Sequence, residues 1–125
     1  MTLLEFVNKH IGTKVDYDKA YGAQCVDLYR QYTKDVIGIE QTPPVEGAKD
    51  IFYKHGKYTR AFDGFKQGDV LIWDATAGNK YGHVAILLDN FDDENFIVFE
   101  QDGFKQDGAH IRVRSRDNLL GGLRA

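Results

Sequence analysis

A single cysteine, two prolines, one methionine and one tryptophan occur in the 125 residues of this chain. One cysteine excludes an internal disulfide, and the lack of a cysteine pair excludes a zinc ribbon. Packing must therefore hold the fold, with a hard cation as the only metal help this composition suggests. No apolar run approaches the roughly 20 residues that a transmembrane helix needs, so no membrane insertion is expected. The opening MTLLEFVNKH lacks a basic start followed by a long apolar stretch, so no secretion signal is expected either. Basic residues are scattered and the formal net charge is only -3, which leaves no electrostatic footprint for nucleic acid. What remains is 42% hydrophobic and 13% aromatic residues, enough for one compact domain over residues 1–125 with a single core.

The first half has helical signals. Thr2 and Glu5 form a capping box and Gly12 can close the helix, predicting helix over about residues 3–11. An acidic loop from Thr13 to Gln24 follows, with Gly22 as a tight-turn residue. From Cys25 to Ile37 the apolar residues Val26, Tyr29, Tyr32, Val36 and Ile37 recur at helical spacing until Gly38. Cys25 thus falls in the first turn of a helix. Pro43 and Pro44 lead into a short helix over about residues 45–54. Beyond Gly64 the period becomes that of strands in DVLIWD, GHVAILLDN, NFIVFEQD and HIRVRS, separated by turn-forming stretches such as AGNK and FDDEN. The expected class is α+β, with N-terminal helices packed on an antiparallel β-meander.

Alternation fixes which strand residues share a face. His83 is in phase with Ala85 and Leu87, and Glu100 with Phe96, Val98 and Asp102. An acid ending an apolar face is costly without a partner. If the two strands pair, the start of one lies beside the end of the other, so His83 and Glu100 can meet. A thiol attacks an acyl carbon only as thiolate, and a free thiol with pKa about 8.5 is mostly protonated at neutral pH. A helix start favours negative charge, a histidine can take the proton, and a carboxylate can hold that histidine in one tautomer. Cys25, His83 and Glu100 are the candidates. A lone cysteine is otherwise a small buried hydrophobe, and Asp102 is otherwise a strand-end charge. His10 is expected to interact with the carbonyl end of its helix, His55 to be solvated and His110 exposed. Asp16 and Asp18 in the loop, with Asp27 on the first turn of the helix, supply the carboxylates that Ca²⁺ accepts, although the pattern is not an EF-hand.

In this order YGAQCVDLY, GDVLIW leading into GHVAIL, FIVFEQD and NLLGGLRA resemble the CHAP domain, the cysteine, histidine-dependent amidohydrolase/peptidase module of peptidoglycan hydrolases, many of them bacteriophage endolysins. The resemblance covers nearly the whole chain and implies a papain-like α+β fold, a meander or half-barrel carrying N-terminal helices. It implies that Cys25 is the nucleophile, His83 the general base and Glu100 the residue that orients His83. It also implies that Gln24 helps the Cys25 backbone N–H stabilise the oxyanion. Many members have asparagine two residues after the glutamate, whereas this chain has Asp102, which cannot donate a hydrogen bond when ionised. Some phage members bind Ca²⁺ through a D-x-D loop before the cysteine, which Asp16, Asp18 and Asp27 match; no organic cofactor is implied.

The expected activity is therefore hydrolysis of amide bonds in bacterial peptidoglycan, by an N-acetylmuramoyl-L-alanine amidase or a peptidoglycan endopeptidase. Two rivals are a noncatalytic, calcium-dependent wall-binding module and a small-amide hydrolase of the same fold. The expected setting is a monomeric phage lysin or virion-associated enzyme, made in the host cytoplasm without a signal peptide and acting on the bacterial wall. It is either a catalytic domain of a longer lysin or a minimal lysin.

Overall fold

Helix α1 (Leu3–His10) begins at the capping box: Glu5 N–H donates to Thr2 Oγ1 at 3.1 Å, and Thr2 N–H donates to Glu5 Oε1 at 2.9 Å. The computed structural model describes residues 1–19 and 22–125. The expected loop between Thr13 and Gln24 is irregular in its described part; Ala20 and Tyr21, the latter the first residue of the YGAQCVDLY stretch, lie outside the described residues. Helix α2 (Cys25–Tyr32) starts at the cysteine, as the apolar spacing predicts. Its continuation differs in winding, because Thr33–Ile37 form a π-helical turn ending at Gly38. Over so short a stretch the apolar spacing does not separate the two windings. The short helix expected over residues 45–54 is a tighter 3₁₀ helix at Ala48–Phe52, led in by Gly47 N–H donating to Asp50 Oδ2 at 3.1 Å.

Six strands follow: β1 (Thr59–Ala61), β2 (Val70–Trp73), β3 (His83–Asn90), β4 (Asn95–Gln101), β5 (Ala109–Ser115) and β6 (Leu119–Arg124). They form one open antiparallel sheet in the order β1-β6-β2-β3-β4-β5, not a closed barrel. The predicted meander is β2 to β5. Strand β6 instead returns to the free side of β2, and β1 pairs beyond it. Neither was foreseen: β1 has three residues, and Gly121 and Gly122 dilute the strand pattern of β6. Those glycines are packing requirements, since a Cβ on Gly121 would lie 2.7 Å from the Ala61 carbonyl oxygen and one on Gly122 would lie 3.1 Å from the Phe65 ring.

Both faces of the sheet are covered, and for that reason β2 is buried along its whole length. The helices cover one face, where Phe6, Leu28, Tyr29 and Tyr32 pack with Val70, Ile72, Ile86 and Phe99. On the other face Phe65, Leu71, Trp73, Leu87, Phe96 and Val98 form a second cluster. Burying such side chains contributes about 1.5–3 kcal/mol each, so this double-sided packing is where the fold's stability is concentrated. α2 packs against β3 and β4, which brings its first turn to the start of one strand and the end of the next. Among the described residues no helix is long and apolar enough to cross a membrane.

Candidate active site

His83 opens β3 directly after Gly82, whose φ of +74° is the left-handed conformation that glycine adopts without strain. A Cβ at position 82 would collide with the Trp73 carbonyl oxygen and lie 2.8 Å from Lys49 Cβ. The chain thus squeezes between the 3₁₀ helix and β2 before presenting the histidine. His83 is buried, opposite Trp73 in the strand register. Its Nε2 lies 3.0 Å from Glu100 Oε1, the meeting that strand alternation predicted. Cys25 and His83 line the same cleft, and the interaction with the thiol is one of the influences that raise the imidazole. An ionised carboxylate only accepts, so Nε2–H is the donor to Glu100 and Nδ1 is left for the thiol.

Glu100 is completely buried on β4. Besides His83 it takes a fork of two bonds from Arg114 on β5: Nε donates to Oε1 at 2.6 Å and Nη2 to Oε2 at 2.6 Å. Burial alone would raise this carboxyl, but the hydrogen bonds from His83 and Arg114 outweigh it and hold it at about 2. Burial pulls the His83 imidazole down, yet its interactions with Cys25 and Glu100 prevail and push it up to about 9. At neutral pH the pair is therefore carboxylate and imidazolium.

Cys25, half-buried at the first turn of α2, shares with His83 a cleft of 610 Å³. Gln24, Asp102, Tyr81 and Phe104 also line it. A second cavity of 260 Å³ touches His83 and is lined in part by Trp73, Arg114 and Asn118. Asp102 is in the cleft, but its Oδ1 accepts from the Phe104 N–H at 2.9 Å and so shapes the turn after β4. Gln106 from the same turn clasps the loop before the cysteine: its Nε2 donates to the Ala23 carbonyl at 3.2 Å and its Oε1 accepts from Ala23 N–H at 3.3 Å.

Asp16, Asp18 and Asp27 converge, each offering a carboxylate oxygen within 4.8 Å of the others. Asp27 is buried and has a structural job as well, accepting from Gln24 N–H at 2.9 Å and Asp18 N–H at 3.4 Å. Burial pushes its carboxyl up to about 6; those backbone donors oppose the shift, and the charges of Asp18 and Asp16 add to it. Asp16 Oδ1 is buried with no hydrogen-bond partner among the described residues. An orphaned oxygen among crowded carboxylates fits a hard cation.

The other histidines fall outside this cluster. His10 packs its ring on Phe6 with centroids 4.7 Å apart, and its Nε2 is buried without a partner. His55 bonds the Tyr58 carbonyl and His110 the Asp107 carbonyl. Sequence reasoning overlooked Arg114, and it noticed Gln101 only as a letter in FEQ. Gln101 is completely buried and ties three segments together: Oε1 accepts from Val15 N–H at 2.6 Å, and Nε2 donates to the carbonyls of Val15 and Gln24, each at 2.9 Å. Two consecutive polar residues ending an apolar run were the available signal, because alternation buries one on each face and both then need partners.

With this geometry in hand, the chain belongs to the CHAP domain family, whose pattern matches residues 13–102. Among curated proteins it is 28% identical over 115 residues to Endolysin PlyTW of Staphylococcus phage Twort, covering 84% of this chain and 24% of that protein. The chain thus spans about a quarter of that relative's length. Among solved structures it resembles wild-type endolysin LysIME-EF1, with a TM-score of 0.71 and 24% identity over 97% of this chain and 61% of the other. It also resembles Ly7917, with a TM-score of 0.72 and 21% identity over 99% of this chain and 62% of the other. A further Ly7917 structure, with the hydrolyzing product of MDP, gives a TM-score of 0.66 at 21% identity, covering 97% of this chain and 60% of the other. At these identities the structural likeness establishes the fold.

Proposed function

We propose that this domain is a cysteine hydrolase that cleaves amide bonds in bacterial peptidoglycan. The observation that carries the reading is the buried His83–Glu100 hydrogen bond at 3.0 Å, with His83 opening onto the cleft that it shares with Cys25. CHAP family membership and the endolysins among its relatives support the substrate. An imidazolium beside the thiol and a helix start beneath it both favour the thiolate. The Cys25 sulfur attacks the amide carbonyl carbon, and the Cys25 backbone N–H and Gln24 receive the oxyanion. When the C–N bond breaks, His83 Nδ1 gives its proton to the leaving amine, which leaves a thioester on Cys25. Water then attacks the thioester while His83 takes its proton, releasing the carboxylic acid and restoring the thiol pair. Glu100 keeps Nε2 protonated throughout and compensates the imidazolium.

On this reading Asp16, Asp18 and Asp27 would hold Ca²⁺. It would supply fixed positive charge that neutralises the three acids and holds the loop in front of the nucleophile. Asp102 contributes through the turn it caps. The domain acts on the wall itself, wherever the chain is released. Mass spectrometry of walls digested by the parent and by Cys25→Ser tests this. Muramoyl-alanine cleavage leaves glycans with free lactyl groups, endopeptidase cleavage leaves new peptide amino termini, and Cys25→Ser yields neither. Parent-level products from Cys25→Ser, or no wall products from the parent, would overturn the reading.

A further inference from the structure

We propose that Arg114 is a positioning residue of the catalytic centre, locking the Glu100 carboxylate so that one oxygen, Oε1, is always presented to His83. This inference rests on the catalytic reading of Cys25, His83 and Glu100 and adds a fourth member to it. A carboxylate held by one partner can rotate about its last bond and offer either oxygen. The Arg114 fork removes that freedom, because Nε and Nη2 each occupy one oxygen at 2.6 Å in the planar bidentate arrangement that guanidinium favours. Oε1 then receives two donors, Arg114 Nε and His83 Nε2, the latter at 3.0 Å. With Nε2 bound there, the imidazole keeps Nδ1 toward Cys25.

Arg114 is itself held in place. Its guanidinium stands 5.7 Å from the Trp73 ring centroid, within cation–π range. The indole is anchored in turn, Nε1 donating to the Ser115 carbonyl at 2.8 Å. Trp73 also flanks the His83 ring, with centroids 5.7 Å apart. One tryptophan thus sets the positions of both the cation and the imidazole. Arg112 does not duplicate this role: its Nη1 is 3.8 Å from Glu100 Oε2, and its Nη2 is engaged by Asp107 at 2.6 Å. It adds charge near Glu100 without fixing it.

The test uses the full chain with Arg114→Gln, Arg114→Lys and Cys25→Ala, scaling every rate to the folded fraction. Three readouts are followed: wall clearance, the rate at which iodoacetamide alkylates Cys25, and the ring-nitrogen resonances of His83. The chain's lone cysteine makes the alkylation site-specific. Arg114→Gln is expected to lose about 10²-fold in clearance, the scale of a misplaced catalytic group. It should also change the alkylation rate and shift the Nε2 resonance, and millimolar guanidinium should restore part of the clearance. Arg114→Lys, with the charge but not the fork, should fall between parent and Arg114→Gln on all three. If both variants only melt earlier, with clearance, alkylation and His83 resonances at parent values per folded molecule, Arg114 is structural and the proposal fails. The catalytic reading fails separately, by Cys25→Ala clearing walls at the parent rate. The alkylation and resonance readouts report on Arg114 regardless of substrate.

Discussion

On the sheet side of the cleft the completely buried Glu100 has His83 and the Arg114 fork within 3.0 Å, and its carboxyl is held far below the ordinary range. On the loop side Asp16, Asp18 and Asp27 crowd together, Asp16 Oδ1 has no hydrogen-bond partner among the described residues, and the Asp27 carboxyl is pushed up. Each wall carries one buried acid, Glu100 on the sheet side and Asp27 on the loop side, and their surroundings differ. Strand register delivers cationic partners from neighbouring strands, so the sheet wall carries its own counter-charges. The loop brings like charges together, and the bonds to Asp27 come from the backbone N–H groups of Gln24 and Asp18. The sheet wall should therefore answer to mutation and the loop wall to ions.

The largest expected effect breaks the sheet wall at its chemical end. His83→Ala should lower wall clearance per folded molecule by about 10³-fold or more, with a lower melting temperature as well, because the buried Glu100 loses one of its partners and keeps only the Arg114 fork. Clearance by His83→Ala close to the parent rate would remove the histidine from the mechanism. Next comes the tie between the walls. Gln101→Leu deletes three bonds to Val15 and Gln24 and should destabilise the domain by about 2–4 kcal/mol, because the backbone groups it leaves are unsatisfied. A denaturation midpoint equal to the parent's would show that the loop is held without it.

A smaller effect addresses the loop wall alone. EDTA should lower the melting temperature by several degrees and Ca²⁺ should restore it, since a ligand at about 100 times its dissociation constant adds about 2.7 kcal/mol. Asp16→Asn should blunt that response and leave Cys25 alkylation intact. No change with chelator would mean that the three acids are tolerated unaided. The smallest effect is the pH dependence of the sheet pair. Glu100 titrates at about 2 in place of 4.5, so its stabilisation is full above pH 4.5 and is lost as pH falls toward 2. His83 titrates at about 9 in place of 6.5, so its contribution is full below pH 6.5 and is lost as pH rises through 9. Chelated protein should be most stable between those limits, and Glu100→Gln should flatten both slopes. A melting temperature still climbing past pH 9 would contradict the sign for His83.

Much of this site was legible from local rules. Helical spacing set Cys25 at a helix start, and period-two alternation put His83 and Glu100 on faces that could meet, because both facts depend on nearest neighbours along the chain. Arg114 was not legible. In register it stands opposite Phe96, and it reaches Glu100 only by running diagonally along β4, a distance set by sheet twist and not by sequence spacing. The return of β6 beside β2 was hidden for a related reason. Its glycines are required by Ala61 and Phe65, which are more than fifty residues away in the chain. The convergence of Asp16, Asp18 and Asp27 was foreseen as a possibility, and the orphaned oxygen that sharpens it is a three-dimensional fact.

Gly82 has a consequence for anyone breeding variants of this domain. It carries no functional group, yet a methyl there would push against the Trp73 carbonyl and Lys49 at the root of the strand that presents the histidine. A random library scored by halo size on a bacterial lawn would therefore return position 82 among its dead clones beside position 25. A thiol-specific dye would tell the two apart, staining the glycine mutants and leaving the cysteine mutants dark.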